Sequence, residues 1–276
     1  MKQSGIPSGC VIRTQCLHIR PGSSSQEHVV LVHETGIELH LNSQRIMKTQ
    51  CMAHDLEHMA LGFLVCEGIL QHRSELQEVA VDTHAGVVKI SAQIPEHRLQ
   101  AASAVLRLAS GGSKTGVIDC MQQKVAEGFK IISDATLSAE AVIRLGNEFN
   151  HYQGLYRDTK FVHSAALSDG SRILYHAEDV GRHNAVDKVV GFGFLNEIDF
   201  AKSVLLCSGR FSLEMVSKAA RVGIPLYVSP AAPSVEAVAL AQRVGMCLIG
   251  RARDDNAIVY ASPYRIQNLH YDHPGS

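Results

Sequence analysis

The segment from His176 to Gly191, HAEDVGRHNAVDKVVG, gathers acid, imidazole, guanidinium and glycine within a few residues, and Cys207-Ser208-Gly209-Arg210 follows it closely. Ile173-Leu174-Tyr175 reads as a strand, Gly181 breaks it, and Ala185, Val186, Val189 and Val190 then take up helical spacing. Arg182, His183 and Asn184 therefore fall in or near a first helical turn. Unpaired backbone N–H groups there favour anions, and a guanidinium beside them adds a two-pronged donor for phosphate. The alternative is capping, in which Glu178 and Asp179 only serve the helix start and Arg182 is solvated beside them.

The elements that must position these residues follow from the pattern of apolar positions. From about Ser138 the chain reads helix (Ala139 to Asn150), hairpin (His163 to Leu167, then Ile173 to His176), helix (His183 to Phe192) and strand (Val204 to Cys207). It continues as helix Ser212 to Val222, strand Pro225 to Val228, helix Ser234 to Val244 and strand Met246 to Gly250. That alternation predicts β-α-β crossovers and an α/β sheet with helices on both faces. In such sheets ligands sit at the carboxyl ends of the strands, so Cys207 to Arg210 and Gly250-Arg251-Ala252-Arg253 would place two arginine-bearing loops on one rim.

Upstream, residues 1–27 read as a flexible tail, polar and small around Gly22-Ser23-Ser24-Ser25. Residues 28–135 read as a smaller α+β domain. It has short strands at Val29 to Val32, Ile37 to Leu41 and Ile46 to Thr49, a helix from Asp55 to Cys66, a hairpin at Val79 to Asp82 and Val87 to Ala92, and a helix opened by Pro95. The loop-like stretch Ser110 to Cys120 lies in this domain. Residues 136–276 form the α/β domain.

A net charge of −1 over 276 residues supplies no global field for nucleic acid or anionic membrane, so an anion site must be local. No apolar run approaches a bilayer span, and Arg13 interrupts the short apolar stretch near the start; both point to a cytoplasmic protein. Seven cysteines with no C-x-x-C pair speak against a disulfide framework and a thiolate zinc knuckle. Two short patterns mimic metal enzymes. His54-Asp55-Leu56-Glu57-His58 fits H-x-x-E-H, and His176-Ala177-Glu178 fits the H-x-E of zinc deaminases, but no P-C-x-x-C follows it. The reading adopted has no metal ligands; a zinc hydrolase on His54, His58 or His176 is the outlying alternative.

Glu178-Asp179-Val180-Gly181-Arg182-His183-Asn184-Ala185, with Asp187-Lys188, resembles the central motif of the formate dehydrogenase accessory protein (FdhD) family. Four further segments resemble that family in order: Asp55-Leu56-Glu57 leading to Leu61-Gly62-Phe63-Leu64 and Glu67-Gly68-Ile69; His163-Ser164-Ala165-Ala166; Ser208-Gly209-Arg210 leading to Glu214-Met215-Val216; and Leu248-Ile249-Gly250 with Arg253. The resemblance implies a three-layer α/β/α cytidine-deaminase-like domain with a mixed sheet, joined to a smaller α+β N-terminal domain. It implies a sulfurtransferase that receives sulfur from a cysteine desulfurase and passes it to the molybdenum bis(molybdopterin guanine dinucleotide) cofactor, bound as substrate, for formate dehydrogenase. Guanine nucleotides would mimic that ligand.

Carried onto this chain, the family's cofactor segment falls on Arg251, Ala252, Arg253, Asp254, Asp255 and Asn256, with Arg182, His183 and Arg210 in support. Arg253 suits a phosphate, and Asp254 or Asp255 suits the N1–H and N2–H of guanine. Sulfur transfer needs an accessible cysteine on a loop, since the thiolate is the nucleophile. The family shows Thr or Ser, Gly, Cys, two residues and Cys at this point. With Thr115-Gly116 in register, the first cysteine is Val117 here and only Cys120 remains. Either Cys120 carries the persulfide, or the chain is a cofactor-binding chaperone or regulatory relative without transfer activity. A homodimer is the expected assembly.

Overall fold

The computed structural model of the protein describes residues 9–99, 128–152 and 154–268. The stretch that reads as a flexible tail is a hairpin from Val11 onward. Strands β1 (Val11–Arg20) and β2 (Ser23–Val32) pair antiparallel along their whole length, Val11 opposite Val32 and Arg20 opposite Ser23. The turn uses Gly22 at φ 79°, a left-handed conformation that glycine adopts without strain. Cross-strand polar pairs link the arm, whose apolar side chains are largely left exposed: Gln15 Nε2 donates to Gln26 Oε1 at 2.9 Å, and His18 Nδ1 lies 2.8 Å from Glu27 Oε1. Those pairs form between residues that look merely polar along the chain.

Strands β3 (Thr35–Leu41), β4 (Gln44–Cys51), β5 (Leu76–Asp82) and β6 (Val87–Ala92) form a four-stranded sheet in the order β4-β3-β6-β5, with β3 and β6 parallel. Alternate residues Ile37, Leu39, Leu41, Val88, Ile90 and Ala92 are buried, the period of two that a one-sided sheet requires. Helix α1 (Leu56–Cys66) covers that face. Its buried set runs nearly all the way round, because its opposite side packs on a second helix, α4 (Arg182–Leu195). Two glycines make this crossing possible: a Cβ on Gly62 would stand 1.8 Å from the Asp187 carbonyl oxygen, and one on Gly191 would stand 1.9 Å from that of His58.

The six-stranded sheet has the order β13-β12-β11-β10-β8-β9, after a short β7 (Leu137–Ser138) that pairs with β14 (Ile266–Gln267). Here β8 is His163–Ser168, β9 Ile173–Asp179, β10 Val204–Cys207, β11 Leu226–Val228, β12 Cys247–Arg253 and β13 Asn256–Ala261. Strands β10, β11 and β12 are parallel; β8, β9 and β13 run antiparallel to their neighbours, so the sheet is mixed as expected. Residues alternate between two cores. Ala165, Leu167, Leu205, Cys207, Tyr227 and Leu248 face α4, α5 (Leu213–Val222) and α6 (Val235–Val244). Ala166, Val204, Leu206, Leu226, Val228 and Ile249 face α2 (Ala139–Tyr152). The result is three layers with helices on both faces. Ser212 and Ser234 cap α5 and α6 by accepting from Met215 N and Ala237 N, and Gly223 and Gly245 end them in the left-handed conformation.

His176 of β9 points into the second core, its ring centroid 6.0 Å from that of Phe149 and 5.7 Å from that of Tyr152. Burial pulls its pKa from 6.5 down to about 4. Below pH 6.5 the unfolded chain gains a proton there that the folded chain refuses, so stability falls as pH drops from 6.5 towards 4 and levels off below. The loss from this residue is on the order of 3 kcal/mol. Urea midpoints measured across that window should fall less steeply in His176→Phe than in the parent; parallel profiles would exclude His176 as the cause.

Candidate functional site

Strand directions decide what meets at the carboxyl ends of β10, β11 and β12. Because β8 runs against β10 and β9 against β8, the start of β8 and the end of β9 reach the same rim. His163 and Ser164 thus join Glu178, Asp179, Arg182, Ser208, Gly209 and Arg210 there. Ser208 ties the strands together: its Oγ accepts from Ser164 N at 2.9 Å and lies 3.4 Å from His163 Nδ1. Ser229, just past β11, donates from Oγ to the Gly209 carbonyl at 2.9 Å, and Arg251 N donates to the Ala231 carbonyl at 3.1 Å. The segments bearing Arg210 and Arg251 are linked through the end of β11.

The two acids of the central motif are structural. Glu178 accepts from the backbone of Leu155 and Tyr156, both at 3.3 Å, at the start of α3 (Gly154–Thr159). Asp179 is fully buried and accepts from Met52 N (3.1 Å), Gly181 N (3.0 Å) and Asn184 Nδ2 (2.9 Å), with Lys188 Nζ at 2.7 Å. Lys188, equally buried, also donates to the Glu178 carbonyl at 3.1 Å. Asp187 turns the other way and is gripped through both oxygens by Lys218 of α5 at 2.6 Å. The motif is therefore largely a frame that fixes the first turn of α4 against the sheet.

Arg182, which that frame presents, is half-buried rather than wholly solvated. It lies over Gly209, where an added Cβ would stand 3.0 Å from Arg182 Cδ, and its Nε is buried without a hydrogen-bond partner. Burial and then the charge of Arg182 hold the His163 pKa below the usual imidazole range, which leaves that ring neutral. His183 turns away from Arg182 and contacts Glu214 of α5, Nε2 to Oε2 at 3.2 Å. Arg210 is exposed. His163 and Ser208 stand in separate segments of the motif set along the chain; the antiparallel insertion of β8 beside β10 brings them together.

Arg251 to Asn256 do not form a loop after a strand ending at Gly250. Strand β12 continues to Arg253, with an irregularity after Gly250, and turns through Asp254 and Asp255 into β13. Arg251 and Asp254 hold positive φ values of 53° and 55°. Arg251, Arg253, Asp254, Asp255 and Asn256 are exposed, whereas Ala252 is buried against α2, with its N donating to the Ser229 carbonyl at 3.1 Å. Ala252 packs the hairpin onto the body, and the charged residues overhang the rim. Val117 and Cys120 lie outside the described residues.

Among the described residues no three of His, Cys, Asp and Glu are grouped to hold a metal ion. Five of the six described cysteines are buried and Cys16 of β1 is exposed. Burial pushes the thiol of Cys207 up, and those of Cys51 and Cys247 up to about 12, so none of the three is a ready nucleophile. No described helix is long and apolar enough to cross a membrane.

The chain is similar to curated relatives called sulfur carrier protein FdhD. That of Wolinella succinogenes is 34% identical over 244 residues, covering 88% of this chain and 84% of the relative. That of Bacillus subtilis is 30% identical over 246 residues, covering 89% and 94%. A crystal structure from Desulfotalea psychrophila, described as a formate dehydrogenase accessory protein, superposes with a TM-score of 0.76 at 29% identity, covering 93% of this chain and 99% of that one. The sequence profile of the FdhD/NarQ family matches residues 32–267, from the hairpin base to the last strand, and with these relatives it shows that the chain belongs to the FdhD/NarQ family.

Proposed function

We propose that this protein is a cytoplasmic sulfur carrier that takes sulfur from a cysteine desulfurase onto Cys120 and delivers it to molybdenum bis(molybdopterin guanine dinucleotide) for formate dehydrogenase. Family membership and the names of the relatives support the carrier role. The observation that carries the ligand is Arg182, laid over Gly209 with an unpaired buried Nε, beside Ser208 and the first turn of α4. A guanidinium, the N-terminal end of α4 and the neighbouring Arg210 suit a pyrophosphate. Arg251 and Arg253 extend the positive surface along β12, and the carboxylates of Asp254 and Asp255 with Asn256 supply groups for a guanine edge.

In the loading step the Cys120 thiolate attacks the terminal sulfur of the donor persulfide. The donor S–S bond breaks, and the donor cysteine leaves as a thiolate while Cys120 becomes the persulfide. Cys120 returns as thiolate when a metal centre able to give up two electrons takes the sulfur as sulfide. The specific alternative rests on Val117, which cannot form a persulfide: a chaperone that holds the cofactor without transferring sulfur.

Incubation with a cysteine desulfurase and cysteine, followed by intact mass and peptide mapping, separates the two. Added sulfur on Cys120 that disappears in Cys120→Ser supports the carrier; added sulfur only on exposed Cys16, or none, supports the alternative. Titration with GDP tests the rim. Arg182→Ala should weaken binding about tenfold or more, the loss of one charge-assisted contact, and unchanged affinity would remove Arg182 from the site.

A further inference from the structure

His163 opens β8 at the rim, opposite Asp179 of β9. Its Nδ1 lies 3.4 Å from Ser208 Oγ, and that oxygen accepts from Ser164 N at 2.9 Å. Ser208 N in turn donates to the Ser164 carbonyl at 2.9 Å, so the backbone of β8 holds Ser208 from both sides. A hydroxyl has one proton to give. Among the described residues the remaining group within hydrogen-bond reach of this oxygen is His163 Nδ1, which therefore accepts that proton. The contact is long, so what it contributes is the choice of tautomer rather than stability. An imidazole that is neutral and accepts at Nδ1 carries its own proton on Nε2.

The ring is half-buried, and burial together with the charge of Arg182 keeps it neutral. No described residue accepts from Nε2, yet that atom is not sealed in the interior as Arg182 Nε is, so its N–H opens to the rim. Arg182 is laid over Gly209, the residue after Ser208. The guanidinium and the Nε2–H thus stand beside the same two residues, Ser208 and Gly209. A protonated imidazole here would repel the guanidinium before any ligand arrived, whereas a neutral ring adds a donor without that repulsion.

We infer that His163 is a further binding residue of the rim, donating from Nε2 to an anionic oxygen of the phosphoryl group that Arg182 holds, with Ser208 as the positioning residue that sets its tautomer. The inference rests on the reading of the rim as a site for a pyrophosphate. Each phosphoryl group of such a ligand has more than one free oxygen, so one can take the guanidinium while another takes the imidazole N–H. A hydrogen bond to a charged oxygen is the stronger kind, and a donor already turned outward and fixed in one tautomer needs little reordering when the ligand binds.

The test is ¹⁵N NMR of the imidazoles in the intact protein, titrated with GDP. Before addition His163 should show a protonated Nε2 and a bare Nδ1, and Ser208→Ala should mix the two tautomers. GDP should then shift His163 Nε2 saturably, with the ring still neutral or newly protonated but Nε2 bearing a proton throughout. His163→Leu should weaken GDP binding about tenfold, the loss of one bond to a charged oxygen. His163→Gln, whose amide reaches a similar position with an N–H, should recover most of that loss. The inference is overturned by a free protein protonated on Nδ1, by an Nε2 signal that does not move at saturating GDP, or by a His163→Leu protein that binds GDP like the parent. In those three cases a loss of affinity in Arg182→Ala still upholds the anion site itself. A parent protein that binds no GDP overturns both.

Discussion

Asp179→Ala is expected to abolish folding or leave a severely destabilised protein. The variant strands the Lys188 ammonium, fully buried, with only the Glu178 carbonyl in place of its 2.7 Å carboxylate partner. Removing one member of a buried ion pair costs about 3–5 kcal/mol. The N–H groups of Met52 and Gly181 and the amide of Asn184 lose their acceptor as well, each a further ~1 kcal/mol or more. The sum is comparable to the whole stability of an ordinary domain, about 5–15 kcal/mol. Lys188→Met should be milder, because Asp179 keeps three donors. Urea unfolding of both variants checks the ranking, and a Lys188→Met loss equal to that of Asp179→Ala would show that the three N–H contacts contribute nothing. Since this network fixes the first turn of α4, surviving Asp179 variants should also lose the position of Arg182.

The second large effect lies at the crossing of α1 and α4. In Gly62→Ala the new methyl meets the Asp187 carbonyl oxygen at 1.8 Å and Gly191 N at 2.8 Å, both backbone atoms that cannot rotate away. The helices must separate, opening gaps in two cores that meet there. Overpacking usually costs about 1–3 kcal/mol, and a backbone obstacle puts this case at or above the top of that range. A drop in Tm of roughly 6–12 °C follows for about 3 kcal/mol in a chain of this size. Gly191→Ala, facing the His58 carbonyl at 1.9 Å, should cost a similar amount. The double variant should lose less than the sum, because one outward shift of α1 relieves both clashes. Additive losses would mean that the two positions yield independently. The same shift would part His58 and Asp55 from Tyr175.

Much of the second half of the fold is legible along the chain. Apolar runs at Val204–Cys207, Leu226–Val228 and Cys247–Ile249, separated by helices that begin after Ser212 and Ser234 and end at Gly223 and Gly245, announce parallel strands by local pattern and capping alone. The β1–β2 arm is not legible in the same way: its stabilising pairs, Gln15 with Gln26 and His18 with Glu27, are polar, and each exists only once the hairpin has closed. The end of β12 is misread for a related reason. Arg251 to Arg253 read as a loop after the strand, and it is the pairing of Arg253 with Asn256 of β13 that carries the strand past Gly250.

For the candidate site, residue type and strand-end logic single out Arg182, Arg210 and the Arg251 segment, because ligands in α/β sheets sit at the carboxyl ends of the strands. The long-range register decides the rest. Antiparallel β8 delivers His163 and Ser164 to Ser208; burial makes Asp179, Asn184 and Lys188 a frame rather than a solvent-facing helix start; and Ala252 becomes packing against α2. Local sequence thus determined the elements and the chemistry each loop carries, since periodicity and capping act within a few residues. Which charges are buried in pairs, which arginine lies over which glycine, and how Asp55, Tyr175 and His58 meet were decided only by tertiary structure, because those contacts join segments far apart in the chain whose distance is set by strand order and helix crossing.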